Sequence, residues 1–251
     1  MIFAPLSTRT LTMLAMAPLA LGLAACNKSE NGAATAPAGS VTAVAPPAGK
    51  TWAETFAKTE DGDGIIVGNP KAAIKMVEYG SLSCPHCAKL AQDGMSALTG
   101  NYIASGKVSL EFRSFAIHPQ DIPLTVLARC GGGDAYFGLI EQVYTNFDAM
   151  NSQTKEQYDQ ASAAMKLPAA QRYPAIADAL GYTAFFSARG LPEAQQRQCL
   201  ADLPRAEAVA KASEAISAKG INSTPTVFVN GNKVEGAEWK NVEAALKAAG
   251  A

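Results

Sequence analysis

The tetrapeptide Cys84-Pro85-His86-Cys87 stands between Ala73–Tyr79 (AIKMVEY), which reads as a strand, and a segment reaching about Ile103, which reads as a helix. That helix would carry Cys87, Leu90 or Ala91, Gly94 and Leu98 on one face, with Gly94 weakening it somewhat. Two cysteines at this spacing in a first helical turn place one sulfur at the exposed N-terminus and the other one turn further in, where they can close a small disulfide. The partial positive charge of the helix N-terminus stabilises a thiolate on Cys84. Pro85 suits the first helical position because its missing N–H would be orphaned there anyway. His86 adds to the effect when it is protonated or donates a hydrogen bond. A stabilised thiolate is a good leaving group, and a stable reduced form makes the disulfide a strong oxidant.

Around this motif the chain reads as a mixed α/β protein. Ile65–Val67 is a short β-branched run after the turn-rich Asp61-Gly62-Asp63-Gly64. That turn has faint calcium-loop punctuation, but apolar residues stand at the later ligand positions, so it reads as a turn. Val108–Phe115 alternates as a strand does. From Ile122 to Gly220 no strand is convincing, and helices are expected at 123–131, 134–146, 154–166, 169–180, 193–201 and 204–219. Pro192 and Pro204 stand where first-turn prolines belong, and Gly220 stands where a C-terminal glycine belongs. Thr226–Asn230, Gly231-Asn232 and Lys233–Glu235 form a hairpin pattern. A last helix at 238–249 presents Trp239, Val242, Leu246 and Ala249 on one face. A mixed sheet flanked by helices satisfies this order, though spacing does not choose the strand order.

Residues 1–25 read as an export signal: Arg9, then an apolar stretch from Leu11 to Leu23 too short to span a bilayer comfortably. Leu23-Ala24-Ala25-Cys26 resembles the lipobox of bacterial lipoproteins, which implies lipidation of Cys26 and a stable membrane anchor. Asn27, not Asp, follows Cys26, which weakly favours outer-membrane sorting. Residues 26–50 are rich in Ala, Pro and Gly and poor in large apolar side chains, the composition of a flexible tether. Export places the thiols in an oxidising compartment. Of five cysteines, Cys26 is taken by lipid, Cys84 and Cys87 form the motif, and Cys130 and Cys199 remain. The last two are expected to join two helices of the helical stretch as a structural disulfide. Two separate buried thiols, or a second redox-active pair, are the alternatives.

Val77-Glu78-Tyr79-Gly80-Ser81-Leu82-Ser83 with Cys84–Cys87 resembles the active-site strand and helix of the DsbA family of thiol–disulfide oxidoreductases. Phe112–Pro119 (FRSFAIHP) resembles the following strand in that family's smaller relatives. Thr224-Pro225 precedes the last hairpin, where thioredoxin-like folds place a cis-proline facing the disulfide. The resemblance spans roughly 60–251. It implies a thioredoxin-like fold with an inserted all-helical subdomain: 51–120 and 220–251 as the two parts of the thioredoxin-like domain, and 121–219 as the insertion. It implies catalytic roles for Cys84, Cys87, His86, Pro85 and Glu78, the last matching a buried acidic residue that assists proton transfer to the inner cysteine. Thr224 and Pro225 would contact substrate. Thr224 departs from the aliphatic residue of the best-known oxidase, which bears on the direction of catalysis. His118, before Pro119 at a strand end, reads as structural.

The implied activity is oxidation of reduced or unfolded exported proteins that carry cysteines, through a mixed disulfide at Cys84. Reoxidation would come from a quinone-linked thiol oxidase in the membrane. The expected setting is the periplasmic side of a bacterial membrane, with the protein lipid-anchored and monomeric. A tethered reductase or isomerase of the same fold is the alternative; residues 27–50 are too short and polar to form an isomerase's dimerising domain. Outside enzymology the competitors are a scaffold lipoprotein and a zinc or copper binder using Cys84, His86 and Cys87, which are too few for a closed zinc site. No cofactor is expected beyond cysteines and lipid. A net charge of −1 with no basic run gives no footprint for nucleic acid.

Overall fold

The computed structural model describes residues 39–251. The export signal, Cys26 and the tether up to residue 38 lie outside the described residues. In chain order the elements begin with β1 (Phe56–Lys58), β2 (Gly64–Gly68), β3 (Ile74–Gly80), α1 (Pro85–Ala97) and β4 (Val108–Ser114). Eight helices follow: α2 (Asp121–Cys130), α3 (Gly133–Thr145), α4 (Phe147–Met150), α5 (Lys155–Ala164), α6 (Ala169–Ala179), α7 (Tyr182–Ser187), α8 (Glu193–Ala201) and α9 (Leu203–Ala218). The chain then returns to the sheet as β5 (Thr226–Val229) and β6 (Asn232–Lys233), and ends in α10 (Trp239–Ala248).

The six strands run in the order β1-β2-β4-β3-β5-β6. Only β3 and β4 are parallel, and the crossover between them is α1, as a parallel pair requires. The other neighbours are antiparallel. Ile74, Met76, Leu110 and Phe112 in the two central strands are at most 1% exposed, because helices cover both faces. This is a thioredoxin-like fold with helices α2–α9 inserted between β4 and β5.

Apart from α1, the helices expected from the sequence lie within two residues of their observed bounds. Three elements were not foreseen. β1 is a three-residue strand that exists through its pairing with β2. α4 and α7 are single short turns, and Gly181 with φ 75° admits the chain to the latter. α1 does not run as α-helix to Ile103; Leu98–Ile103 continues it with π-type hydrogen bonding. The second hairpin strand is Asn232–Lys233, so Glu235 lies beyond it. Pro204 is in the first turn of α9, whereas Pro192 caps α8 from outside.

Residues 39–50, expected to continue a free tether, lie against the domain. Val41 N donates to Gly250 O at 2.9 Å and Val44 N to Ser105 O at 2.9 Å. The Trp52 indole N–H donates to Val44 O at 2.6 Å. Gly106, with φ 73°, makes room: a Cβ there would stand 2.3 Å from Val44 O.

Candidate active site

Cys84 caps α1 in an extended conformation, φ −90° and ψ 121°, and Pro85 opens the helix. Ala88 N bonds back to Cys84 O at 3.1 Å, so the first turn closes on the cysteine. Cys84 and Cys87 carry free thiols and both are buried, Cys87 completely. The two sulfurs have opposite electrostatics. A hydrogen bond from the Cys87 thiol, help from Thr224 and the backbone N–H groups of Cys87 and His86 bring the Cys84 thiol down to about 5, against the cost of burial. Burial pushes the Cys87 thiol well up, and the neighbouring Cys84 and Glu78 push it further. This is the asymmetry that a helix N-terminus creates when one sulfur meets its free N–H groups and the other lies inside.

Pro85 and His86 are exposed. No side-chain hydrogen bond of His86 is formed among the described residues; its backbone N–H favours the Cys84 thiolate. Thr224 and Pro225 are joined by a cis peptide bond. The Cys84 thiol donates to Thr224 O at 3.4 Å, which brings together residues 140 apart in sequence.

Glu78 stands in β3, paired with Phe112 on β4 and Val227 on β5, and is 3% exposed. Its Oε1 has no hydrogen-bond partner. Burial, with the nearby Cys84 thiolate, raises its carboxyl to about 8. A carboxyl so placed can exchange a proton near neutral pH, and Cys87 is the group beside it that feels its charge.

Tyr144 and Asp121, both at the site, were not singled out from the sequence. Tyr144 comes from α3, is fully buried and donates to Ser81 O at 3.1 Å. It fits because Gly80 lacks a side chain: a Cβ there would meet the Phe112 ring at 2.6 Å and both Tyr144 Oη and Glu78 Oε1 at 3.0 Å. A glycine at the end of a strand permits such close approach, but it does not say what approaches. His118 Nδ1 lies 3.4 Å from Ser83 Oγ, so this residue reaches the loop that leads into Cys84. Asp121, fully buried, binds the same loop.

Away from the thiol pair, Cys130 at the end of α2 and Cys199 in α8 are joined as a disulfide with a Cα–Cα distance of 6.1 Å. Gln195 Nε2 donates to Cys130 O at 2.8 Å across the same junction. Among the described residues no group of three or more His, Cys, Asp or Glu side chains gathers to hold a metal ion. Nor is any helix among them long and apolar enough to cross a membrane.

The family model described as Thioredoxin matches residues 60–248. The chain belongs to that family. As a thioredoxin-family protein it is 28% identical over 190 residues to a Rickettsia prowazekii protein with the provisional name protein-disulfide oxidoreductase, covering 75% of this chain and 62% of that one. A Rickettsia bellii protein with the same provisional name is 28% identical over 198 residues, covering 78% and 68%. The fold is shared with the protein-disulfide isomerase of Novosphingobium aromaticivorans, at TM-score 0.67 and 24% identity over 74% of this chain and 96% of that one. Wolbachia pipientis alpha-DsbA1 shares it at TM-score 0.59 and 24% identity, over 74% and 90%.

Proposed function

We propose that this protein is a thiol–disulfide oxidoreductase of the DsbA type, working as an oxidase on exported proteins with paired cysteines. The observation that carries the reading is the split between the two thiols: Cys84 held near 5 and Cys87 pushed far above its ordinary range, with Glu78 beside it. The provisional names of the rickettsial relatives support the thiol–disulfide oxidoreductase class of this reading.

In the oxidised protein a client thiolate attacks the Cys84 sulfur, forms a mixed disulfide and expels Cys87 as a thiolate. Glu78 supplies the proton that Cys87 takes up. A second client thiolate then attacks the client sulfur of the mixed disulfide and releases Cys84 as a stabilised thiolate. The client leaves with a disulfide, and its two electrons stay on the Cys84–Cys87 pair. Thr224 and Pro225 border Cys84 and would line the client backbone. Pro85 and His86, exposed beside Cys84, would meet the client and the reoxidising partner, for which we assign a quinone-linked thiol oxidase of the membrane. Cys130–Cys199 is assigned a structural role in the helical insertion. Lipid on Cys26 would hold the protein at the periplasmic side of a bacterial membrane.

The test is the reduction potential of the Cys84–Cys87 pair, by equilibration in glutathione buffers. A value near −120 mV, the range of strong thiol oxidants, is expected. A value near −270 mV would reverse the direction and make the protein a tethered reductase.

A further inference from the structure

We propose that Asp121 is a positioning residue for the redox pair: its carboxylate, in the first turn of the helical insertion, holds the Ser81–Ser83 turn that delivers Cys84. The inference rests on the functional reading above and adds a residue to it.

Asp121 is 0% exposed, and each carboxylate oxygen meets two donors. Oδ1 accepts from Ser81 Oγ at 2.8 Å and from Ser83 N at 3.0 Å. Oδ2 accepts from Ile117 N at 3.1 Å and His118 N at 2.9 Å. The first pair belongs to the loop between β3 and α1, the second to the loop between β4 and α2. One buried side chain therefore ties together two loops distant in sequence, reaching Ser83 and Ser81 from 38 and 40 residues away. A buried carboxylate is tolerable there because its acceptor sites are occupied.

The turn it holds touches both cysteines. Ser81 O accepts from Cys84 N at 3.2 Å and from Tyr144 Oη at 3.1 Å. The Ser81 backbone N–H faces the Cys87 sulfur and favours its thiolate. Ser83 immediately precedes Cys84, whose own thiolate depends on N–H groups presented at a fixed angle. Asp121 thus reaches the chemistry through Ser81 and Ser83. An isosteric amide cannot replace it: whichever way it turns, the amide N–H2 faces at least one backbone N–H, Ser83 on one side or Ile117 and His118 on the other.

The experiment compares wild type, Asp121→Asn and Ser81→Ala, each equilibrated with reduced and oxidised glutathione, alongside thiolate absorbance at 240 nm against pH. Asp121→Asn is expected to lower the oxidising equilibrium constant tenfold or more, about 30 mV for a two-electron couple. The Cys84 titration should move to higher pH. Ser81→Ala, which removes one donor and leaves the backbone, should shift both in the same direction by less, and it decides the matter if Asp121→Asn does not fold. Unchanged potentials in folded variants would overturn the inference, since a merely structural residue leaves the couple where it was. A shift to a more oxidising couple would also overturn it, by showing that Asp121 acts as a repelling charge. A wild type with no reversible couple would sink the functional reading and this inference together, and would be seen before any variant is measured.

Discussion

At the residue scale the site depends on Cys84, Cys87 and Glu78, held away from their ordinary behaviour by different means. Cys84 is stabilised as a thiolate mainly by directed hydrogen bonds, and Glu78 is kept protonated mainly by burial. A thiolate titration of the reduced protein should show a midpoint near pH 5, read at 240 nm. Glu78 makes a second prediction. Its carboxyl goes from 4.5 to about 8 on folding, so between those values the folded chain binds more protons than the unfolded one. The stability it allows is present in full below pH 4.5 and is lost as pH rises through 8. Glu78→Gln should therefore remove part of the loss of stability over that window, by roughly 3 kcal/mol at pH 7 as an order of magnitude. Denaturant unfolding at pH 4.5 and pH 7.5 checks this: the variant should gain over wild type only at the higher pH. The gain should shrink in the disulfide form, where the Cys84 thiolate no longer contributes.

Elements show where periodicity was a sufficient guide and where it was not. α1 was legible because its buried residues, Cys87, Ala88, Leu90, Ala91 and Gly94, repeat with the helical period. Gly94, a weak point by propensity, has a tertiary reason: a Cβ there would lie 2.3 Å from the Trp239 indole of α10. Gly94→Val is expected to destabilise by about 1–3 kcal/mol through overpacking, more than its better helix propensity returns, while leaving the Cys84 titration in place. Thermal unfolding and the 240 nm titration test the two halves of that statement. The start of α5 carries a full capping box between Thr154 and Gln157, so Thr154→Ala should cost about 1 kcal/mol. By contrast β1 and α7 were hidden. A three-residue strand has no period to read, and Tyr182–Ser187 is too short for one.

For the whole molecule, the insertion is tied to itself by Cys130–Cys199, which closes a loop of 69 residues. Removing both cysteines should lower stability by roughly 4 kcal/mol in the chain-entropy model and leave exchange at Cys84 intact. Denaturant unfolding of the double alanine variant measures the first, and reduction of a small disulfide the second; loss of exchange would show that the insertion's integrity governs the site. The docked stretch from Val41 to Trp52 meets Ser105, beyond the C-terminal end of the helix that Cys84 begins. The chain thus approaches the domain at the other end of that helix from the redox pair, roughly 25 Å away by helix rise.

The local chemistry is legible in the amino-acid order: Cys84 and Cys87 on a helical first turn, most helix positions, the hairpin, and Thr224-Pro225 as a landmark. These follow from spacing, capping and turn residues, which act over a few positions. The strand order, the docking of residues 39–50, and the contacts of Tyr144 and Asp121 with the Ser81–Ser83 turn arise only once the chain is folded. The contacts of Asp121 and Tyr144 with that turn join residues 38 or more apart, and no period or motif records them. Their physical reason is burial: the central strands and the carboxylates of Glu78 and Asp121 reach their environment only when the sheet, α1 and the helical insertion close over them.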